Sequence, residues 1–89
     1  MLRAVTTNQF EKDLKLAQKR RKDLKRIVQL MQLLLNEEKI PQKHRDHSLS
    51  GNYVNRRECH IEPDWLLIYK LGIEEIIFER TGTHSDLFK

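Results

Sequence analysis

The stretch WLLIYKL, Trp65–Leu71, contains the longest uninterrupted apolar run of the sequence, Trp65 to Tyr69. A near-continuous apolar run of this length is too short to cross a bilayer and is typical of a strand at the centre of a sheet, buried on both faces. On either side, Tyr53–Ile61 and Ile73–Arg80 read as further strands, and the pair Leu71-Gly72 forms a turn. The second half of the chain therefore predicts three consecutive strands.

Upstream of Pro41 the apolar residues follow a helical period. Leu2–Val5 predicts a short strand, and the possible N-caps Thr6, Thr7 and Asn8 then begin a first helix. A hinge near residues 20–23 separates it from a second helix, which ends around residue 36. The apolar positions that carry the two patterns are Phe10, Leu14 and Ala17, followed by Leu24, Ile27, Val28, Met31, Leu34 and Leu35.

The order β-α-α-β-β-β predicts an α+β fold in which a small antiparallel sheet packs against two N-terminal helices. The 89 residues suit one domain, 1–89, with one core. The chain has a single cysteine, Cys59, no apolar leader in residues 1–15 and no membrane span. These features favour a cytoplasmic protein without a membrane partner.

Basic charge is concentrated in the first half of the chain. Residues 1–45 hold 12 Lys and Arg against 5 Asp and Glu, whereas residues 46–89 hold 5 against 8. The densest run, KRRKDLKR, is either a solvated helix face or a surface for the phosphates of nucleic acid; an acidic protein partner would be attracted equally well. Its cations are Lys19, Arg20, Arg21, Lys22, Lys25 and Arg26.

Polar side chains that suit acid-base chemistry are concentrated in the second half of the chain. Strand alternation places Arg56, Glu58 and His60 on one sheet face, and Tyr53, Cys59 and Ile61 on the other. Histidine suits both proton roles of metal-free RNA cleavage, in which the 2′-hydroxyl attacks the adjacent phosphate, because its ordinary pKa is about 6.5. The candidates at strand and loop ends are His47, His60, Asp64, Arg80 and His84.

A metal site is not expected. His44 and His47 have H-x-x-H spacing, but they lie in a polar loop, and Cys59 falls on the strand face opposite to His60. We therefore predict neither a metal nor another cofactor.

Three motifs carry a family resemblance: D-H-x-L-x-G from Asp46, R-E-x-H-I-x-P-D-W-L-L-I-Y from Arg57, and R-x-G-T-H-x-x-L-F from Arg80. With these motifs the sequence resembles the YafQ branch of the RelE/ParE toxin superfamily over nearly its whole length. That branch comprises ribosome-dependent mRNA interferases of bacterial toxin-antitoxin modules. The resemblance implies a RelE-like fold, which agrees with the predicted order of elements.

The resemblance also implies roles for individual residues. It places cleavage chemistry on His47, His60, Asp64 and His84, with His84 as proton donor to the leaving oxygen. Arg80 would stabilise the phosphoryl charge, while Trp65 and Phe88 would shape the site. Each of these assignments has a structural alternative: Asp64 also suits a turn after Pro63, Arg80 suits an ion pair with Glu58 or Glu79, Trp65 suits the core, and Phe88 suits a terminal anchor.

The implied partners are the ribosome, mRNA and an antitoxin with a DNA-binding half that represses its own promoter. Two alternatives stay open: a non-enzymatic toxin that poisons DNA gyrase, as ParE-like relatives do, and a basic RNA-binding module without catalysis. The sequence does not fix the codon preference, the antitoxin, or which of His47, His60 and Asp64 is the general base.

Overall fold

A five-stranded sheet with two helices against one face forms most of this protein in the computed structural model, which describes residues 1–88. The strands are β1 (Arg3–Thr6), β2 (His47–Ser48), β3 (Arg57–Glu62), β4 (Trp65–Leu71) and β5 (Glu75–Gly82). The helices are α1 (Asn8–Lys19), α2 (Leu24–Leu35) and the one-turn α3 (His84–Leu87). In residues 1–88, none of the helices has the length and apolar character needed to cross a membrane.

The sheet has the order β1-β5-β4-β3-β2, so the apolar strand β4 is central, as its sequence predicts. The α+β class with two N-terminal helices is confirmed. One detail differs, because β1 pairs with β5 in parallel and the sheet is therefore mixed. The physical reason is that the two helices and β2 bring the chain back to its original direction at β3, after which β3, β4 and β5 alternate and β5 runs in the same direction as β1.

Both long helices begin at side-chain caps and are separated at the predicted hinge. Thr7 Oγ1 accepts a hydrogen bond from the Phe10 amide at 3.0 Å, and Asp23 Oδ1 accepts one from the Lys25 amide at 3.0 Å. After α1 the chain reverses at Arg21, whose φ of 62° is left-handed. The short linker that results forces α1 and α2 to lie side by side on the sheet.

Alternation along the strands divides the sheet into a helix-covered face and an open face. The helix-covered core includes Phe10 and Ala17 of α1, Ile27, Leu30, Leu34 and Leu35 of α2, and Cys59, Ile61, Trp65, Leu67, Tyr69, Ile76 and Phe78 of the strands. The open face has a much smaller apolar cluster of Leu66, Ile68 and Leu87, against which Leu49 and Tyr53 pack.

The strand predicted over residues 53–61 is shorter than expected. Gly51 and Asn55 both adopt a φ of 68°, which interrupts the extended chain, and pairing begins only at Arg57. Tyr53 therefore lies in a turn and packs on the open face, so the prediction that it lies on the sheet face away from His60 is wrong.

Helix α1 takes the place of a strand along part of β5. Strand β1 pairs only with residues 75–78, which leaves the second half of β5 beyond its reach. There the Thr7 hydroxyl donates to the Glu79 carbonyl at 2.9 Å, and the buried Asp13 carboxylate accepts from the Thr81 amide at 3.1 Å. Asp13 also accepts from Arg80 Nε at 2.8 Å. Backbone groups along this edge of β5 thus find hydrogen-bond partners in side chains of α1 and of its N-cap.

Candidate active site

Three imidazoles form a row on the open face of the sheet. His47 comes from β2, His60 from β3, and His84 is the first residue of α3. The ring centroids of His47 and His60 are 6.3 Å apart, and those of His60 and His84 are 5.8 Å apart. The three histidines that sequence reasoning selected are therefore brought together, although 37 residues separate the outer two in the sequence.

Asp64, in the turn between β3 and β4, holds His84. Its Oδ1 accepts from the His84 backbone amide at 2.9 Å and lies 2.6 Å from His84 Nδ1. The hydrogen bond from the His84 amide, and then the one from its ring, lower the pKa of Asp64, so this carboxylate is ionised and accepts hydrogen bonds at neutral pH. Since a carboxylate only accepts, Nδ1 must carry hydrogen, and Nε2 is left for a ligand. Asp64 thus combines the turn role and the positioning of His84.

The turn that presents His84 is fixed by its own caps. Thr83 and Asp86 form a capping box, in which the Asp86 amide donates to Thr83 Oγ1 at 3.1 Å and the Thr83 amide donates to Asp86 Oδ2 at 3.0 Å. Asp86 also accepts two bonds from Arg20, at 2.7 and 3.3 Å. The bond with Arg20, followed by the bond with the Thr83 amide, holds the pKa of Asp86 well below its ordinary value.

Glu58 is a site residue that sequence reasoning did not select. Glu58 is only 4% exposed, and its Oε1 lies 3.0 Å from His60 Nε2 and 3.6 Å from His47 Nε2. A buried carboxylate between two imidazoles orients both rings. The available signal was the same-face spacing of Glu58 and His60 on β3.

His47 is positioned through the residue before it. Asp46 reaches the opposite, helix-covered side and accepts from the Tyr69 hydroxyl at 2.6 Å and from Arg57 Nε at 3.3 Å. Burial of Tyr69, and then its bond with Asp46, raise the pKa of the phenol, which therefore remains a donor at neutral pH. On the open side, His47 Nδ1 donates to the Arg45 carbonyl at 2.6 Å. The two-residue strand β2 is thus fixed from both faces.

Two aromatic rings close one end of the row. Phe88 is 42% exposed, and its ring centroid lies 6.3 Å from that of His84 and 5.5 Å from that of Tyr53, which it meets edge to face. The Tyr53 hydroxyl donates to the Leu87 carbonyl at 3.3 Å and anchors α3. Phe88 therefore lies where it can contact a ligand of His84.

Trp65 and Arg80 occupy other surroundings than the resemblance implied. Trp65 is 1% exposed in the helix-covered core, which matches its structural alternative, and its part in shaping the site remains a prediction. The reason is strand alternation, which turns Trp65, like Tyr69, towards the helices. Arg80 pairs with Asp13, not with the predicted Glu58 or Glu79, and this bond raises its pKa. Its action on a phosphate remains a prediction.

The predicted basic patch is partly engaged in ion pairs. Arg20 binds Asp86, while Lys22 and Arg26 bind Glu62 at 3.0 and 3.1 Å. The other three cations, Lys19, Arg21 and Lys25, are exposed. Contact of this patch with ribosomal RNA remains a prediction. Among residues 1–88, no cluster of three or more His, Cys, Asp or Glu side chains is arranged to hold a metal ion.

Comparison with known families supplies the decisive observation. A family model described as the bacterial toxin of a type II toxin-antitoxin system, YafQ, matches residues 2–89. The chain belongs to the YafQ toxin family. The family resemblance carried by the three sequence motifs is therefore confirmed.

Individual YafQ proteins and structures agree with this assignment. The mRNA interferase toxin YafQ of Escherichia coli K12 is 49% identical over 83 residues, which cover 92% of this chain and 90% of the relative. A putative toxin YafQ of Haemophilus influenzae is 32% identical, over 94% of this chain and 89% of the relative. The structure is also similar to that of the E. coli DinJ-YafQ complex, with a TM-score of 0.93, 46% identity and full coverage of both chains. A metal-bound toxin from Helicobacter pylori has a TM-score of 0.92 and 38% identity, over 99% of this chain and 100% of the other.

Proposed function

We propose that this toxin is an endoribonuclease that cleaves translated mRNA on the ribosome and thereby inhibits translation. The observation that carries the proposal is the row of His47, His60 and His84 on the open face, with Glu58 and Asp64 beside the rings. Groups that titrate near neutrality are what proton transfer requires and what simple binding does not. The name of the E. coli relative, an mRNA interferase, supports the same activity.

In the proposed reaction the 2′-hydroxyl loses its proton and its oxygen attacks the neighbouring phosphorus. The bond from phosphorus to the 5′-oxygen then breaks, which leaves a 2′,3′-cyclic phosphate and a 5′-hydroxyl end. The reaction needs a base, an acid and stabilisation of the phosphoryl oxygens, and it requires no metal.

His84 is the proposed acid. Asp64 fixes a proton on Nδ1 and stabilises the imidazolium, while Nε2 is directed away from that bond and can protonate the leaving 5′-oxygen. Asp64 in this scheme is a positioning residue rather than the base.

His60 is the proposed base. Its Nε2 donates to Glu58, so the lone pair of the neutral ring lies on Nδ1, which can accept the 2′-hydroxyl proton. His47 Nδ1 donates to the Arg45 carbonyl, and its Nε2 lies 3.6 Å from Glu58 Oε1, so the ring is held beside His60. His47 can then stabilise negative charge on the phosphoryl oxygens, a role that Arg80 shares if it turns from Asp13.

The proposed setting is the cytoplasm, where translated mRNA is found. Lys19, Arg21 and Lys25 are exposed cations that can bind ribosomal RNA. A cognate antitoxin neutralises the toxin and, through a DNA-binding half, represses its own promoter with it. The DinJ-YafQ complexes of E. coli support a partner of this kind.

Mapping of 5′ ends in translated transcripts, after brief induction of the toxin, tests the proposal. New 5′ ends are expected within coding regions, and His84→Ala should reduce their rate of appearance by about 10²- to 10⁴-fold. Ser85→Ala, at the exposed neighbouring position, is the matched control. Full cleavage by His84→Ala would contradict the mechanism, and DNA breaks without new 5′ ends would indicate a gyrase poison instead.

A second measurement tests metal independence, since the H. pylori relative was solved with metal bound. In a translation extract, 1,10-phenanthroline removes transition metals but leaves ribosomal Mg²⁺. Cleavage should continue at its original rate. Loss of cleavage that returns on addition of Zn²⁺ or Cu²⁺ would contradict the metal-free mechanism.

A further inference from the structure

A groove of about 840 Å³ lies beside the histidine row, between helix α2, the turn at residues 42–44 and strand β3. Its volume is within the range of about 300–1,000 Å³ that is common for small-molecule sites. Apolar and basic side chains both line it: Leu30, Leu33 and Ile61 are apolar, and Arg26, Lys43 and Arg45 are cations.

The groove opens directly onto the proposed chemistry. His60 and His84, the proposed base and acid, are part of its lining. His44 lies in its wall and is fixed there, because its Nδ1 donates to the His60 carbonyl at 2.6 Å. A group that occupies this groove must therefore lie next to whatever His60 and His84 hold.

The charge of the groove is positive. Its one carboxylate, that of Glu62, is already paired with Lys22 and Arg26. Lys43 and Arg45 are exposed at the rim and face no carboxylate among the groove residues. An apolar wall with cations along its rim suits a nucleotide, whose base is apolar on its faces and whose phosphate is an anion.

We propose that this groove binds the mRNA nucleotide next to the scissile phosphate, on the side of His60 and His84 that faces α2. The base lies against Leu33 and Ile61, and its phosphate is directed towards Lys43 and Arg45. The proposal rests on the proposed RNA cleavage and adds a subsite to it. Because α2, the turn at residues 42–44 and β3 give the groove a fixed shape, it contributes to the preference for the nucleotide beside the cut.

A tryptophan placed in the groove tests this subsite. Gln29 is exposed on α2 and lines the groove, so Gln29→Trp should fill it without replacing a proposed catalytic group. The matched control is Gln32→Trp, one turn along the same helix, exposed and outside the lining. We expect Gln29→Trp to lower the cleavage rate about 10- to 100-fold through misplacement of the strand, and to change the preferred nucleotide beside the cut. Gln32→Trp should cleave as the wild type does.

A photo-crosslink tests whether the groove holds this nucleotide, and it does so independently of catalysis. Ribosome complexes are prepared with His84→Ala protein and mRNA carrying one 4-thiouridine beside the mapped cut, or beside the A-site codon if the wild type does not cleave. Irradiation should attach this nucleotide to the segment of residues 26–45, and the added Gln29→Trp change should abolish the adduct. Lys43→Ala should reduce the adduct several-fold, whereas Lys39→Ala, an exposed lysine outside the groove, should not.

The outcomes separate this subsite from the proposed function. Cleavage by wild-type protein that Gln29→Trp leaves unchanged in rate and position overturns the subsite but not the nuclease. A wild-type protein that does not cleave overturns the nuclease, while a crosslink in the groove still supports an RNA site. Unchanged cleavage by Gln29→Trp with loss of neutralisation by the antitoxin would assign the groove to the antitoxin and overturn the subsite.

Discussion

The two faces of the sheet are built from the same strands but are stabilised by different means. The helix-covered face is a continuous apolar core, closed by α1 and α2 and centred on residues such as Phe10, Trp65 and Phe78. In the part of the chain that the structure describes, the buried apolar cluster of the open face consists only of Leu66, Ile68 and Leu87, and the polar side chains of this face are held by hydrogen bonds. The first face therefore supplies most of the stability of the fold, and the second supplies the geometry of the site.

This division explains why the site can tolerate exposed, charged groups. Burial of apolar area contributes about 25 cal/mol per Å², and nearly all of the large buried side chains are on the helix-covered face. The side chains of the histidine row contribute less to stability through burial because they remain accessible to a ligand. Substitutions on the helix-covered face should consequently lower stability more than activity, and substitutions on the open face should lower activity more than stability.

The largest expected effect compares two phenylalanines. Phe78 is fully buried among the helix-covered core, so Phe78→Ala should lower the free energy of unfolding by about 3–5 kcal/mol. Phe88 is half exposed on the open face, so Phe88→Ala should change the free energy of unfolding by less than about 0.5 kcal/mol but should reduce RNA cleavage. Urea unfolding and 5′-end mapping on both variants provide the comparison. A stable Phe78→Ala protein would contradict the division between the faces.

Glu58 tests whether the open face is organised by its buried carboxylate. Glu58→Gln keeps the shape but removes the charge shared by His47 and His60, and we expect cleavage to fall about 10²-fold because the base is no longer oriented. The acidic limb of the pH-rate profile, which the base governs, should shift to lower pH as well, and a purely structural role would not cause this shift. Glu75→Gln, at the distant pair with Arg3, is the control and should cleave normally. An unshifted profile with normal activity would remove Glu58 from the site.

Tyr69 links the two faces, because it lies in the core but holds the residue before His47. Tyr69→Phe removes one hydrogen bond to a carboxylate and should cost about 1.5 kcal/mol of stability. Cleavage should fall further than this loss of folded protein explains, and the NMR signals of the His47 ring should broaden or move. Asp46→Asn keeps an oxygen that accepts from Tyr69 and Arg57, so its His47 signals should stay close to those of the wild type. Identical His47 signals in Tyr69→Phe would show that β2 does not need this anchor.

The smallest expected effect is on the pH dependence of stability. Because the folded pKa of Asp86 is depressed, its contribution is fully present above its unfolded pKa of about 3.9 and is lost as pH falls through the lower folded value. Asp86→Asn should therefore be less stable than the wild type at pH 7, and the difference should narrow towards about pH 2. Urea midpoints measured across this range give the comparison. Asp23→Asn, which retains the cap of α2, should follow the wild-type curve, and a gap that widens in acid would refute the assignment.

The spacing of apolar residues along the sequence was sufficient to predict the two long helices and the central strand against which they pack. The apolar run of β4 predicted a central strand, and the helical spacing before Pro41 predicted α1, α2 and the hinge between them. Motifs and resemblance selected His47, His60, Asp64 and His84, which the structure brings together. Both the elements and these residues could be selected from sequence because periodicity and motifs are properties of short segments.

The features that were missed depend on contacts between distant segments or on local turns. Asp13 and Arg80 are 67 residues apart, so no spacing rule could pair them. The shortened β3 depends on left-handed residues at Gly51 and Asn55, and the glycine alone did not fix where pairing begins. The parallel pairing of β1 follows from the path of the whole chain. Glu58 was visible on the correct face, but only its burial between two rings gives it a role.

The place of β5 between β1 and β4 also bears on the order in which the molecule folds. Arg3 of β1 is opposite Glu75 of β5, so the two strands meet only after more than seventy residues of chain have become available. Contacts of such sequence separation are slow to form because loop closure must come first. A nascent chain that lacks residues 75–84 has neither the strand that joins β1 to β4 nor His84, and is without the complete histidine row. The late position of β5 thus leaves the histidine row incomplete during most of the synthesis of the chain.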